Sequence, residues 1–97
     1  MQPNTIPEII LQQLGGNKFR AMTGARQFVY TANSLIFWLP ANFAKNRIST
    51  VAITLTDADL YDIEFWNKTK LVKSCEGVYA ESLRRTFTDV TGLDCTL

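Results

Sequence analysis

The strongest constraint in this chain is a block of period-two alternation framed by two helix-period patterns. In residues 49–56, Val51, Ile53 and Leu55 fall on one side and Thr50, Ala52, Thr54 and Thr56 on the other. A half-buried strand requires that spacing, because successive side chains leave opposite faces of a sheet. The alternation returns in residues 60–66, with Tyr61, Ile63 and Phe65 inward and Asp62, Glu64 and Trp66 outward. Upstream, residues 27–31 are β-rich, and in residues 34–39 Leu35, Phe37 and Leu39 oppose Ser34, Ile36 and Trp38. Ala32-Asn33, Asp57-Ala58-Asp59 and Asn67-Lys68 carry turn chemistry between the runs. Residues 69–75 predict a shorter last strand.

Two helices frame the block. Thr5-Ile6-Pro7-Glu8 is a capping-box start, Ile6, Ile10 and Leu14 share a face that Ile9 and Leu11 widen, and Gly15-Gly16 ends the pattern. Near the other end Tyr79, Leu83, Phe87 and Val90 form a stripe, Glu81 precedes Arg85 in ion-pair order, and Gly92 stops the helix. Leu93 and Leu97 are expected against the sheet edge. Lys18 to Met22 predicts a short strand, with a turn at Thr23-Gly24-Ala25. Residues 41–48 predict an ordered polar loop anchored by Phe43. The whole predicts one α+β domain over 1–97: an N-terminal helix, an antiparallel meander of about five strands and a C-terminal helix, with both helices on one face.

Composition narrows the chemistry. The chain has 97 residues, enough for one core and little spare length for a deep cleft. A formal net charge of +1 argues against bulk electrostatic capture of nucleic acid. Histidine is absent, which removes the commonest general base and the commonest transition-metal ligand. Cys75 and Cys95 make no Cys-x-x-Cys pair; they read as reduced thiols, with a bridge left open on count alone. Met1-Gln2-Pro3-Asn4 has no basic start or apolar run, and no stretch is long enough to span a bilayer. A soluble cytoplasmic protein without membrane contact is expected, and the Asn67-Lys68-Thr69 sequon then reads as chance.

Individual motifs fall short of a catalytic site. Asp57, Asp59, Asp62 and Glu64 could offer oxygen ligands to a hard cation, but they fit a turn and a solvated strand face better. Cys75 beside Glu76 has no histidine to take its proton. Gly15-Gly16-Asn17-Lys18 follows a helix, whereas a phosphate cradle precedes one. The expectation is a non-enzyme with no metal and no cofactor.

The open sheet face is the best lead. If the helices cover the Val51–Ile53–Leu55 side, the other side carries Ile36, Trp38, Leu60 and Trp66, with Val72 at its margin. A solvated face rarely holds two tryptophans without a partner. The first expectation is therefore a binding protein that docks another protein, host or viral, or itself as a homo-oligomer, through Ile36, Trp38, Leu60 and Trp66 with Phe43 at the rim. A second is a nucleic-acid-binding module using Arg20, Arg26, Lys45, Arg47, Lys68 and Lys70. A third is a small-ligand sequestering protein with a site at a dimer seam.

The order of local signatures resembles a family of small uncharacterised bacteriophage and prophage proteins. The resembling residues are Leu11-Gln12-Gln13-Leu14-Gly15-Gly16-Asn17-Lys18-Phe19, Met22-Thr23-Gly24-Ala25, Leu39-Pro40 and Ala44-Lys45-Asn46. Ala52-Ile53-Thr54-Leu55-Thr56, Tyr61-Asp62-Ile63-Glu64-Phe65, Glu76-Gly77-Val78-Tyr79-Ala80 and Thr91-Gly92-Leu93 complete the set. The resemblance spans nearly the whole chain. It implies a viral protein in host cytoplasm and no particular mechanism; countering a host defence would suit such a protein by analogy alone. Cys95 departs from the family pattern, which argues against a required Cys75–Cys95 bridge.

Overall fold

A computed structural model describes residues 5–40 and 44–93 of the chain. The elements run α1 (Ile6–Leu14), α2 (Asn17–Thr23), β1 (Arg26–Tyr30), β2 (Ser34–Trp38), β3 (Thr50–Leu55), β4 (Tyr61–Asn67), β5 (Lys70–Val78) and α3 (Leu83–Thr91). The strands make one antiparallel sheet in sequence order, so the α+β meander predicted from the alternation is the architecture. Phe43, Cys95 and Leu97 lie outside the described residues, as does the opening Met1-Gln2-Pro3-Asn4.

Register turns alternation into a core. Leu35 pairs with Ile53 and Ile53 with Ile63; Phe37 pairs with Val51 and Val51 with Phe65. All six are fully buried, and the helices close over them with Ile10, Leu14, Phe19, Leu83 and Phe87. The capping box of α1 forms as expected: Glu8 N–H donates to Thr5 Oγ1 (3.4 Å) and Thr5 N–H to Glu8 Oε1 (3.2 Å). Ile9, expected to widen the stripe of α1, is instead 38% exposed, and Leu11 takes the buried position.

Residues 17–23 correct a prediction. They form helix α2, not a strand. Over five residues the spacing of Phe19 fits either period, and only the packing decides. Phe19 and Thr23, four apart, are the buried positions of α2, and the Phe19 ring stands edge-on to Phe37 (5.3 Å) and Phe87 (5.2 Å). Strand β5 is longer than predicted, reaching Val78, because Gly77 (φ 67) lets a bulge form while its N–H donates to the Asp62 carboxylate (3.1 Å). The C-terminal helix starts later than predicted, after a 3-10 turn at Ala80–Ser82. Tyr79 therefore leaves the expected stripe and is 61% exposed, and Glu81 falls outside the helix that holds Arg85.

Helices α2 and α3 end in the same way. Thr23 Oγ1 donates to the Phe19 carbonyl (2.7 Å) and accepts from Ala25 N–H (3.2 Å); Thr91 Oγ1 donates to the Phe87 carbonyl (2.7 Å) and accepts from Leu93 N–H (3.2 Å). Gly24 (φ 71) and Gly92 (φ 76) follow in left-handed conformation. The shared pattern is phenylalanine, three residues, threonine, glycine. Each buried threonine hydroxyl ties the N–H two residues on, just past the helix end, back to the last turn.

Candidate functional site

The two faces of the sheet differ in kind. The inner face is closed by the helices. On the outer face the register aligns Trp38, Thr50 and Trp66 in one cross-strand row and Ile36, Ala52 and Glu64 in the next. Trp38 and Trp66 thus flank Thr50 from either side, two strand spacings or roughly 10 Å apart along the backbone. Ser49 fixes both tryptophan-bearing segments. It accepts from Leu39 N–H at its carbonyl (2.8 Å), donates its own N–H to the Trp66 carbonyl (2.8 Å), and accepts from Lys68 N–H at its hydroxyl (3.0 Å).

The result is an open depression of about 610 Å³ lined by Ile36, Trp38, Ser49, Thr50, Ala52, Glu64, Trp66 and Lys68. Trp38 is 36% exposed and Trp66 is half-buried. Val29, the partner of Ile36, and Leu71, the partner of Trp66, are each 43% exposed and extend the apolar surface. At the opposite end of the face Ser34 and Thr54 share a hydroxyl hydrogen bond (2.8 Å) beside Asp62, so that end is polar.

A second depression, of about 400 Å³, adjoins the tryptophan end and is lined by Asn46, Arg47, Asn67, Lys70, Leu71 and Val72. Trp66 of the first depression and Leu71 of the second are cross-strand partners. Unusual backbone surrounds it: Asn46 (φ 56, ψ 21) and Arg47 (φ 55), which line it, and Lys68 (φ 56), which lines the first depression and follows Asn67, are all left-handed. Asparagine tolerates this conformation; arginine and lysine adopt it at a cost of about 1 kcal/mol each. Buried Ala44 and Ile48 pin the chain on both sides of the Asn46-Arg47 turn, which Ile48 N–H closes onto the Lys45 carbonyl (3.2 Å).

Ile36, Trp38 and Trp66 come together in the larger depression. Leu60 does not; it is half-buried beside Gly77, ahead of β4 at the other end of the sheet. Val72 is packed toward the core, because the irregularity between Phe65 and Trp66 puts Leu71 opposite Trp66. Of the six cations considered for nucleic acid, Arg26, Arg47, Lys68 and Lys70 gather at the tryptophan end, Arg26 as the cross-strand partner of Trp38. The other two lie elsewhere. Arg20 sits over the Phe28 ring at 4.5 Å, and the aliphatic chain of Lys45 lies against Gly92 at the end of α3. Among the described residues no three potential metal ligands of the Asp, Glu, Cys and His kinds converge.

Sequence reasoning missed Arg26, Ser49 and Glu64 as neighbours of the tryptophans, and Asn46 and Asn67 as neighbours of Arg47 and Lys70. The outward positions of β3 and β4 were readable from alternation, but not which positions lie side by side. Comparison with protein-family models, curated proteins and solved structures gives no match to this chain.

Proposed function

We propose that the chain is a small non-catalytic binding protein, of the phage accessory kind its motifs resemble, that docks a partner protein on the open face of its sheet. One observation carries this reading: two tryptophans, placed on either side of Thr50 by the strand register, line an open depression while the described helices close over the opposite face. Rigid exposed aromatics with a polar surround are the usual anchors of protein interfaces. The strand pairing matters, since little backbone freedom is left to lose on binding.

The test is capture from nuclease-treated host lysate with the wild-type chain and with a Trp38→Thr, Trp66→Thr variant. Threonine preserves strand propensity, and circular dichroism checks the fold. A single protein retained by the wild type and lost from the folded variant is the expected result. A concentration-dependent dimer that the variant abolishes is the self-association form of the same reading. A partner retained equally by both chains overturns it, and so does retention of nucleic acid alone from untreated lysate.

A further inference from the structure

Charge is segregated along the strands of the sheet. Arg26, Arg47, Lys68 and Lys70 lie at the tryptophan end, whereas Asp57, Asp59, Asp62 and Glu76 lie at the β3–β4 turn and the adjoining stretch of β5. Glu64 stands between the two ends, exposed in the larger depression. The tryptophan end also has a recess for a polar group, around the tip of the β4–β5 hairpin. There Arg47 and Lys70 supply charge, Asn46 and Asn67 supply amide donors, and Leu71 and Val72 supply an apolar wall.

We infer that the partner docks through an acidic segment: its apolar side chains rest on Trp38 and Trp66, and a carboxylate enters the recess between Arg47 and Lys70. This rests on the docking role proposed for the face. A carboxylate suits the site because guanidinium and ammonium groups make charge-assisted hydrogen bonds to it, and the neighbouring amides can donate to its remaining lone pairs.

The same pattern tells against two other occupants. A polynucleotide carries a charge on every residue, so a strand lying along the face would run from the cations past Glu64 onto Asp62. A second copy stacked with parallel strands brings basic end onto basic end. Stacked antiparallel, it sets each tryptophan row over Ser34, Thr54 and Asp62 and places Glu64 above its own copy, and like charges so juxtaposed oppose association. A short segment with one or two carboxylates beside apolar residues avoids each conflict.

The experiment measures binding of a fluorescein-labelled peptide alternating leucine and glutamate, a counterpart alternating leucine and lysine, and an oligothymidylate, by anisotropy at low and moderate salt. The glutamate peptide should bind and the lysine peptide should not. Arg47→Glu with Lys70→Glu, both at exposed positions, should weaken the glutamate peptide on the order of tenfold, and added salt should weaken it in parallel. Trp38→Thr with Trp66→Thr should abolish binding. If binding depends on the tryptophans but is indifferent to charge reversal and salt, the acidic-partner inference fails while the docking face stands. If the glutamate peptide does not bind, the inference fails. If only the oligothymidylate binds, and charge reversal removes it, both this inference and the proposed protein-docking role fail.

Discussion

Replacing Thr23 by valine keeps the shape of the side chain and deletes only its hydroxyl. Two hydrogen bonds go with it, to the Phe19 carbonyl and from the Ala25 N–H, and Thr23 is 2% exposed, so water cannot replace them without repacking. A typical intramolecular hydrogen bond contributes about 1 kcal/mol net, and a buried group left without a partner costs about 1–3 kcal/mol. The valine variant should therefore lose about 2–3 kcal/mol, a large share of the ~5–15 kcal/mol that holds a domain together. At roughly 4–8 °C per kcal/mol for a domain near this size, the melting midpoint should fall by more than about 8 °C. Thr23→Ser retains the hydroxyl and loses one methyl, for about 1 kcal/mol. Thr91→Val should behave like Thr23→Val, with a smaller loss because Leu93 is only part-buried. Urea titration of the three variants decides the matter. If Thr23→Val is as stable as the wild type, or Thr23→Ser is the worse of the pair, the helix-closing role of the hydroxyl is wrong.

Adjacent residues of β2 should respond oppositely. Phe37→Ala should cost about 3–5 kcal/mol because Phe37 is fully buried among Phe19, Phe28 and Phe87, whereas Trp38→Thr should leave a folded domain with a much smaller loss by denaturant titration. Gly24→Ala should destabilise more than Gly92→Ala by thermal melting: both glycines are left-handed, but a Cβ at Gly24 meets the Pro40 ring at 2.8 Å, while at Gly92 it meets the flexible chain of Lys45 at 3.0 Å. Burial holds the Tyr61 hydroxyl above the ordinary tyrosine value of 10.0, and the Gln13 side-chain amide offsets part of that rise. The folded state then keeps this proton more tightly than the unfolded chain, so the contribution is whole below pH 10.0 and fades as pH climbs through the folded value. Tyr61→Phe should flatten that alkaline decline in a series of denaturation curves, and an unchanged slope refutes the linkage.

The alternation of residues 49–66 was enough, without coordinates, to assign β3 and β4 and to sort their side chains between core and open face. Thr5 and Glu8 marked the start of α1, and Gly92 the end of α3, because caps are local chemistry written in adjacent residues. Lys18 to Met22 misled because a five-residue window does not separate the two periods, and the contacts that select a helix there come from Phe37 and Phe87, far along the chain. Trp38 and Trp66 could be placed outward from spacing alone. That they flank one threonine depends on the β2–β3 and β3–β4 registers, and that Arg47 and Lys70 share a recess depends on a left-handed turn and an irregular β4–β5 pairing. Periodicity is decided within a few residues, so the sequence determined the layers and sorted the side chains into two sets, while the packing of the helices decided which set stays uncovered. Register and bulges are decided by how turns and packing bring distant strands into line, so only the tertiary structure decided which side chains meet at the open face.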